Sequence, residues 1–115
     1  MNHAFGASIR QRSGLAIIDL SGEINAFADQ ELDAVYSEAE AINASNIVLN
    51  FERVTYINST GIALIVGLLA RARKANRRLA VIGLSDHYVE IFHITRLVDF
   101  MSIYPDETSA LAQVG

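Results

Sequence analysis

Two hydroxyls and a carboxamide stand side by side in the stretch Tyr56-Ile57-Asn58-Ser59-Thr60-Gly61-Ile62. Such side chains suit a helix start, where their oxygens accept hydrogen bonds from first-turn N–H groups. The same hydroxyls can also serve as nucleophiles or as phosphate acceptors. Ser59, with His87 or His93 and Asp86, supplies the residue types of a hydrolytic triad. Gly-x-Ser-x-Gly, the strained turn that presents such a serine, is missing around Ser59, so hydrolysis is not expected. Nor does the chain contain Gly-x-x-x-x-Gly-Lys-Ser/Thr, the loop that cradles nucleotide phosphates. Asp19 lacks the clustered acidic neighbours that a phosphorylated receiver aspartate needs for magnesium. The scattered His3, His87 and His93, without any cysteine, suggest neither a metal site nor a cofactor.

A second group with chemical potential is the basic run Arg71, Arg73, Lys74, Arg77 and Arg78. It reads as the solvated carboxyl end of a helix, where cations are favoured by the dipole. The run lacks interleaved aromatics, and the net charge of −4 disfavours phosphate-backbone binding, so no nucleic-acid partner is expected.

These residues must be positioned by elements that periodicity reveals. A first strand near Ala7 to Gln11 turns at Ser13-Gly14 into a second, Leu15 to Leu20. From Phe27 to Ile42, Leu32, Val35, Tyr36, Ala39 and Ile42 fall at helical spacing, with an acidic exposed face of Asp29, Glu31, Asp33, Glu38 and Glu40. Asn46 to Phe51 is a nearly continuous apolar run, as expected of a central strand covered on both faces. A loop from Glu52 to Ser59 then leads into a helix from about Thr60 to Asn76, whose run from Ile62 to Ala70 reads as buried. Leu79 to Gly83 is a strand, Asp86 to His93 a short helix, and Met101 to Tyr104 a last strand. Pro105 to Val114 forms a terminal helix with the proline in its first turn. The class is α/β, with a mixed sheet of about five strands, an initial hairpin plus parallel strands, and about four helices.

With 115 residues, 51% of them hydrophobic, the chain suits one domain, 1–115, that needs no disulfide or structural metal. The amino terminus lacks the features of a secretory signal, and the longest apolar run falls short of the roughly 20 residues that span a bilayer. A cytoplasmic protein without membrane insertion is expected. Phe27, Tyr88 and Phe92 are candidates either for an exposed apolar surface supporting weak homodimerisation or for finishing the core.

Gly22-Glu23-Ile24-Asn25, the Ile47 to Phe51 strand, Asn58-Ser59-Thr60-Gly61-Ile62 and the closing helices resemble the STAS family in order and spacing over nearly the full chain. Its short members, the anti-sigma factor antagonists, carry Asp-Ser-Ser/Thr-Gly at the start of the second helix, and the first serine is the phosphoacceptor. Ser59 occupies that place. Asn58 and Asn25 stand where the family usually has aspartate. The resemblance implies a non-enzyme that binds an anti-sigma factor kinase of the histidine-kinase-like ATPase fold and frees a sigma factor. Phosphorylation at Ser59 by that partner then breaks the complex, and a serine phosphatase restores it. The partner-binding residues are expected to be Asn25, Asn58, Ser59, Thr60, Gly61, Ile62, Ser85 and Asp86, with Gly61 letting the partner approach closely. The alternative within the family is an accessory subunit of a lipid-transport ABC system or a component of a stress-signalling scaffold.

Overall fold

The computed structural model describes residues 4–114, so His3 lies outside the described residues. The elements are β1 (Gly6–Arg12), β2 (Leu15–Ile24), α1 (Asp29–Ile42), β3 (Asn46–Ile57), α2 (Ser59–Lys74), β4 (Arg78–Ile82), α3 (Asp86–Ile94), β5 (Ser102–Tyr104) and α4 (Glu107–Val114). Ser13 and Gly14 form the two-residue turn of the hairpin, both with positive φ, 50° and 81°. That backbone twist matches the right-handed twist of the strands it joins. β1 pairs antiparallel with β2, and β2 to β5 then run parallel in the order β1-β2-β3-β4-β5.

Alternation along the strands divides the core in two. Ala16, Ile18, Ile47, Leu49, Leu79 and Val81 pack under α1, α2 and α3 with Leu32, Tyr36, Ile65 and Phe92. Leu15, Ile17, Val48, Ala80 and Ile82 point the other way, where Ala110 and Leu111 of α4 cover them. Period 2 in the strands thus requires helices on both faces. The cover on the second face is short, and it is anchored by charge. Glu107 accepts hydrogen bonds from Arg10 at 2.8 Å and from Arg12. Arg10 also grips Asp19 through the Nε and Nη2 edge of its guanidinium, and Asn50 donates to the same carboxylate at 2.9 Å. The Arg10 hydrogen bonds, helped by Asn50, hold Asp19 below the usual carboxylate range, and those of Arg10 and then Arg12 do the same for Glu107.

Several expectations are corrected. β2 runs on to Ile24, and the expected loop from Glu52 is strand as far as Ile57, because the upper half of β3 pairs with β2 alone. Its polar, exposed side chains are those of a sheet margin, which resemble a loop in sequence. Pro105 precedes α4, where Asp106 takes the capping place by accepting from the Ser109 N–H at 2.8 Å. Tyr88 and Phe92 are buried, one helical turn apart on the core side of α3, which leaves Phe27 as the exposed member of the proposed apolar trio. His93 is exposed rather than packed. The apolar stretch of α2 is buried on one side only: Ala63, Val66, Gly67 and Ala70 face solvent. The basic run is more engaged than a solvated helix end. Arg71 reaches Asp33 and Glu40 on α1, Arg73 lies over the Phe100 ring at 4.6 Å, and Arg77 donates to the Ala44 carbonyl at 2.8 Å.

Candidate functional site

Three parallel strands end at one edge of the sheet, and the segment after each begins with a side-chain cap. After β2, Asn25 in extended conformation accepts from the Phe27 N–H at 2.9 Å and opens a 3₁₀ turn, Ala26–Ala28, that leads into α1. After β3, the Asn58 carboxamide oxygen accepts from the Gly61 N–H at 2.8 Å, while the Asn58 carbonyl accepts from Ile62 at 2.9 Å. After β4, the Ser85 hydroxyl accepts from the Tyr88 N–H at 3.4 Å and starts α3. The same physics operates each time. A chain leaving a parallel strand must satisfy the orphan N–H groups of the next helix, and a short polar side chain in β conformation does so locally.

The central cap determines how Ser59 is presented. Asn58 is the cap, so Ser59 and Thr60 are the first two helical residues, and both are exposed. The Asn58 N–H donates to the Ile24 carbonyl at 3.2 Å, tying the junction to the end of β2. Gly61 faces that carbonyl: a Cβ built there would stand 2.1 Å from the Ile24 oxygen and 2.9 Å from Ile57 Cγ2. Gly61 is buried, so the close approach it permits is between α2 and β2 of its own chain, not the expected one toward a partner.

Sequence reading missed the residue that fastens the junction from the other side. The Tyr88 hydroxyl accepts from the Ile57 N–H at 2.8 Å and lies 3.4 Å from the Ile57 carbonyl as donor. It therefore satisfies the last residue of β3 in place of a neighbouring strand, β4 having ended its pairing at Ile82 opposite Asn50. The signal available in the sequence was the spacing of Tyr88 and Phe92, which puts both on one helix face.

Asn25, the Asn58 to Ile62 segment and Ser85-Asp86 thus share the carboxyl edge of β2, β3 and β4, where open α/β sheets place ligand and partner sites. The triad residue types are not assembled: His87 packs edge-on to Tyr88 with ring centroids 4.9 Å apart, and His93 lies at the far end of α3. Among the described residues, no three His, Asp or Glu side chains gather as a metal ion would require. The arrangement suits covalent modification and recognition. A phosphate on Ser59 would sit at the positive end of a sixteen-residue helix, which tolerates negative charge without unfolding.

The domain is thus a mixed sheet with helices on both faces and a serine displayed at a strand-to-helix junction. The STAS domain pattern matches residues 7–110, and the chain belongs to the STAS domain family. It is 31% identical over 86 residues to the anti-sigma-B factor antagonist of Staphylococcus aureus, covering 75% of this chain and 80% of that protein. The fold is that of an anti-sigma factor antagonist from Mycobacterium paratuberculosis, with a TM-score of 0.84 at 19% identity over 96% of this chain and 94% of the other. The phosphorylated form of the Bacillus cell fate determinant SpoIIAA superposes with a TM-score of 0.71 at 26% identity, covering 97% and 100%. No helix among the described residues is long and apolar enough to cross a membrane.

Proposed function

We propose that the chain is an anti-sigma factor antagonist acting in the cytoplasm. It binds a kinase-type anti-sigma factor of the histidine-kinase-like ATPase fold, so that a sigma factor is released, and phosphorylation at Ser59 switches it off. The observation that carries the reading is the exposed Ser59 at the first position of α2, in a chain related to a protein named as an anti-sigma-B factor antagonist. Likeness to a structure recorded in a phosphorylated form adds support. Asn25, Asn58, Ser59, Thr60, Ile62, Ser85 and Asp86 form the recognition edge, with Gly61 acting from within. The chain is the substrate of its partner and catalyses nothing itself; a serine phosphatase returns it to the binding form.

Physical chemistry supplies the direction of the switch. A kinase that phosphorylates Ser59 must hold its nucleotide phosphates against this edge. Once transferred, the phosphoryl group, carrying about −1.5 to −2 charge, faces those remaining phosphates at close range, and like-charge repulsion weakens the complex. Within its own chain the same group meets helix N–H dipoles instead.

The test is a quantitative pull-down from the cells of origin with wild-type and Ser59→Asp baits, both verified as folded by circular dichroism. Recovery of an ATPase-fold anti-sigma factor by wild type, reduced about tenfold or more with Ser59→Asp, is the expected result. Equal recovery of transporter subunits by both baits, without such an ATPase, sinks the reading.

A further inference from the structure

The seam between α1 and α2 carries features that the interior does not require. Gly67 lies in the middle of α2, exposed, and a Cβ added there would meet nothing within 4 Å. Glycine is disfavoured against alanine inside helices, and neither the backbone nor the packing of this chain calls for it here. Beside Gly67 runs a groove of about 180 Å³ with Leu32, Leu64 and Leu68 among its lining, bounded by Asp29, Asp33 and Arg71. Phe27, 96% exposed, stands in the turn that leads into α1 and packs against α2, two residues before Asp29 of the groove's rim. Val66, 43% exposed, continues the apolar surface along α2.

Charge selects the occupant. Asp29, Glu31, Asp33 and Glu38 are exposed along α1, and Arg71, which pairs with Asp33 and Glu40, is the cation at the seam. Negative lipid headgroups are repelled by such a rim, whereas a protein segment with basic side chains is drawn to it. Two parallel helix ridges with a groove between them take a third helix, and a glycine on one ridge lets the backbones come close.

We infer that the α1–α2 seam is the docking groove for an amphipathic helix of the anti-sigma factor, apolar toward Gly67 and basic toward Asp29 and Glu31. The inference rests on the proposed function and names how the partner is held. Gly67 lies eight residues after Ser59 on one helix, about 12 Å along its axis, so one bound segment reaches both. The seam supplies affinity, and Ser59 supplies control.

Photo-crosslinking in lysate from the cells of origin tests this, using full-length chains that also carry Ser59→Ala so that the bait stays unmodified. A benzoylphenylalanine probe replaces the exposed Val66 in one chain and Thr60 in another, and linked peptides are mapped by mass spectrometry. The expected result is capture of one ATPase-fold anti-sigma factor from both positions, with position 66 linked to a helical segment bearing Lys or Arg at its rim. Capture from Thr60 alone, or linkage of position 66 to an acidic or non-helical segment, overturns the seam and leaves the function standing. Capture of that ATPase from neither position overturns both. With the captured partner purified, Gly67→Glu is expected to weaken binding about tenfold or more. Equal binding by Gly67→Glu also overturns the seam.

Discussion

At the carboxyl edge of the sheet the helix starts are capped by Asn25, Asn58 and Ser85, all neutral, whereas on the second sheet face Arg10, Arg12, Asp19 and Glu107 hold one another by charge. The ionic network joins residues up to 97 apart in sequence and pins α4 over the hairpin. Its charges answer each other within the chain. The caps reach only two or three residues along it and leave the edge around Ser59 without a carboxylate in the capping positions. On the proposed function, a phosphate arriving at Ser59 joins an edge whose caps are neutral and which already holds the exposed carboxylate of Asp86. Charge fastens the second sheet face, whereas short neutral side chains cap the helix starts at the edge.

The most damaging break in this comparison is Gly61→Ala. Its Cβ would collide with the Ile24 backbone carbonyl, which cannot rotate away, so α2 must shift from β2. A loss of about 3 kcal/mol in stability is expected, measured by urea unfolding, although a single methyl group is added. A loss below about 0.5 kcal/mol would show that the junction has slack.

Ser59→Asp separates edge from fold. Partner affinity should fall by about 2 kcal/mol in calorimetry with the purified anti-sigma factor. Thermal stability should hold or rise by up to about 1 kcal/mol, since a carboxylate in the first turn complements the dipole. A matching loss of stability would mean that the edge is structural as well as signalling.

Tyr88→Phe removes one hydroxyl and leaves the Ile57 N–H without its side-chain partner, for an expected cost of about 1.5 kcal/mol. Amide exchange should quicken at Ile57 and Asn58 while α4 stays protected. Uniform quickening across the molecule would indicate that Tyr88 supports the whole core.

The smallest effect is expected at Glu107→Gln, about 1 kcal/mol or less, because Arg10 and Arg12 are partly solvated. Its pH dependence is the sharper observable. Glu107 and Asp19 both have folded pKa values below their ordinary ones, so their contribution is complete above about pH 5 and is lost progressively as pH falls through their ordinary and then their folded values. Protection factors in α4, taken against the intrinsic exchange rate at each pH, should therefore fall on acidification in wild type, and less steeply in Glu107→Gln. An identical pH slope for the two would remove Glu107 from the latch.

Several of these parts were legible in advance for the same reason that they are local. The Ser13-Gly14 turn, the Asn58 cap and the alternation of strands with helices involve neighbours within a few residues, so residue type and spacing reveal them. The upper half of β3 was hidden because Glu52 to Tyr56 has one sheet neighbour and a largely exposed surface, and its polar residues look like a loop. Whether Phe92 and Tyr88 lie on the surface or complete the core was open in the sequence, because burial depends on what α3 packs against.

The amino-acid sequence by itself determined the family, the order of elements and the place of Ser59 at a helix start, since periodicity, turn chemistry and a short motif encode them. Only the tertiary structure decided that Gly61 faces β2, that Tyr88 secures Ile57, and that Glu107 meets Arg10 and Arg12. The physical reason is distance along the chain: such pairs gain their energy only once folding has brought remote backbone and side chains into contact, and no local pattern records that outcome.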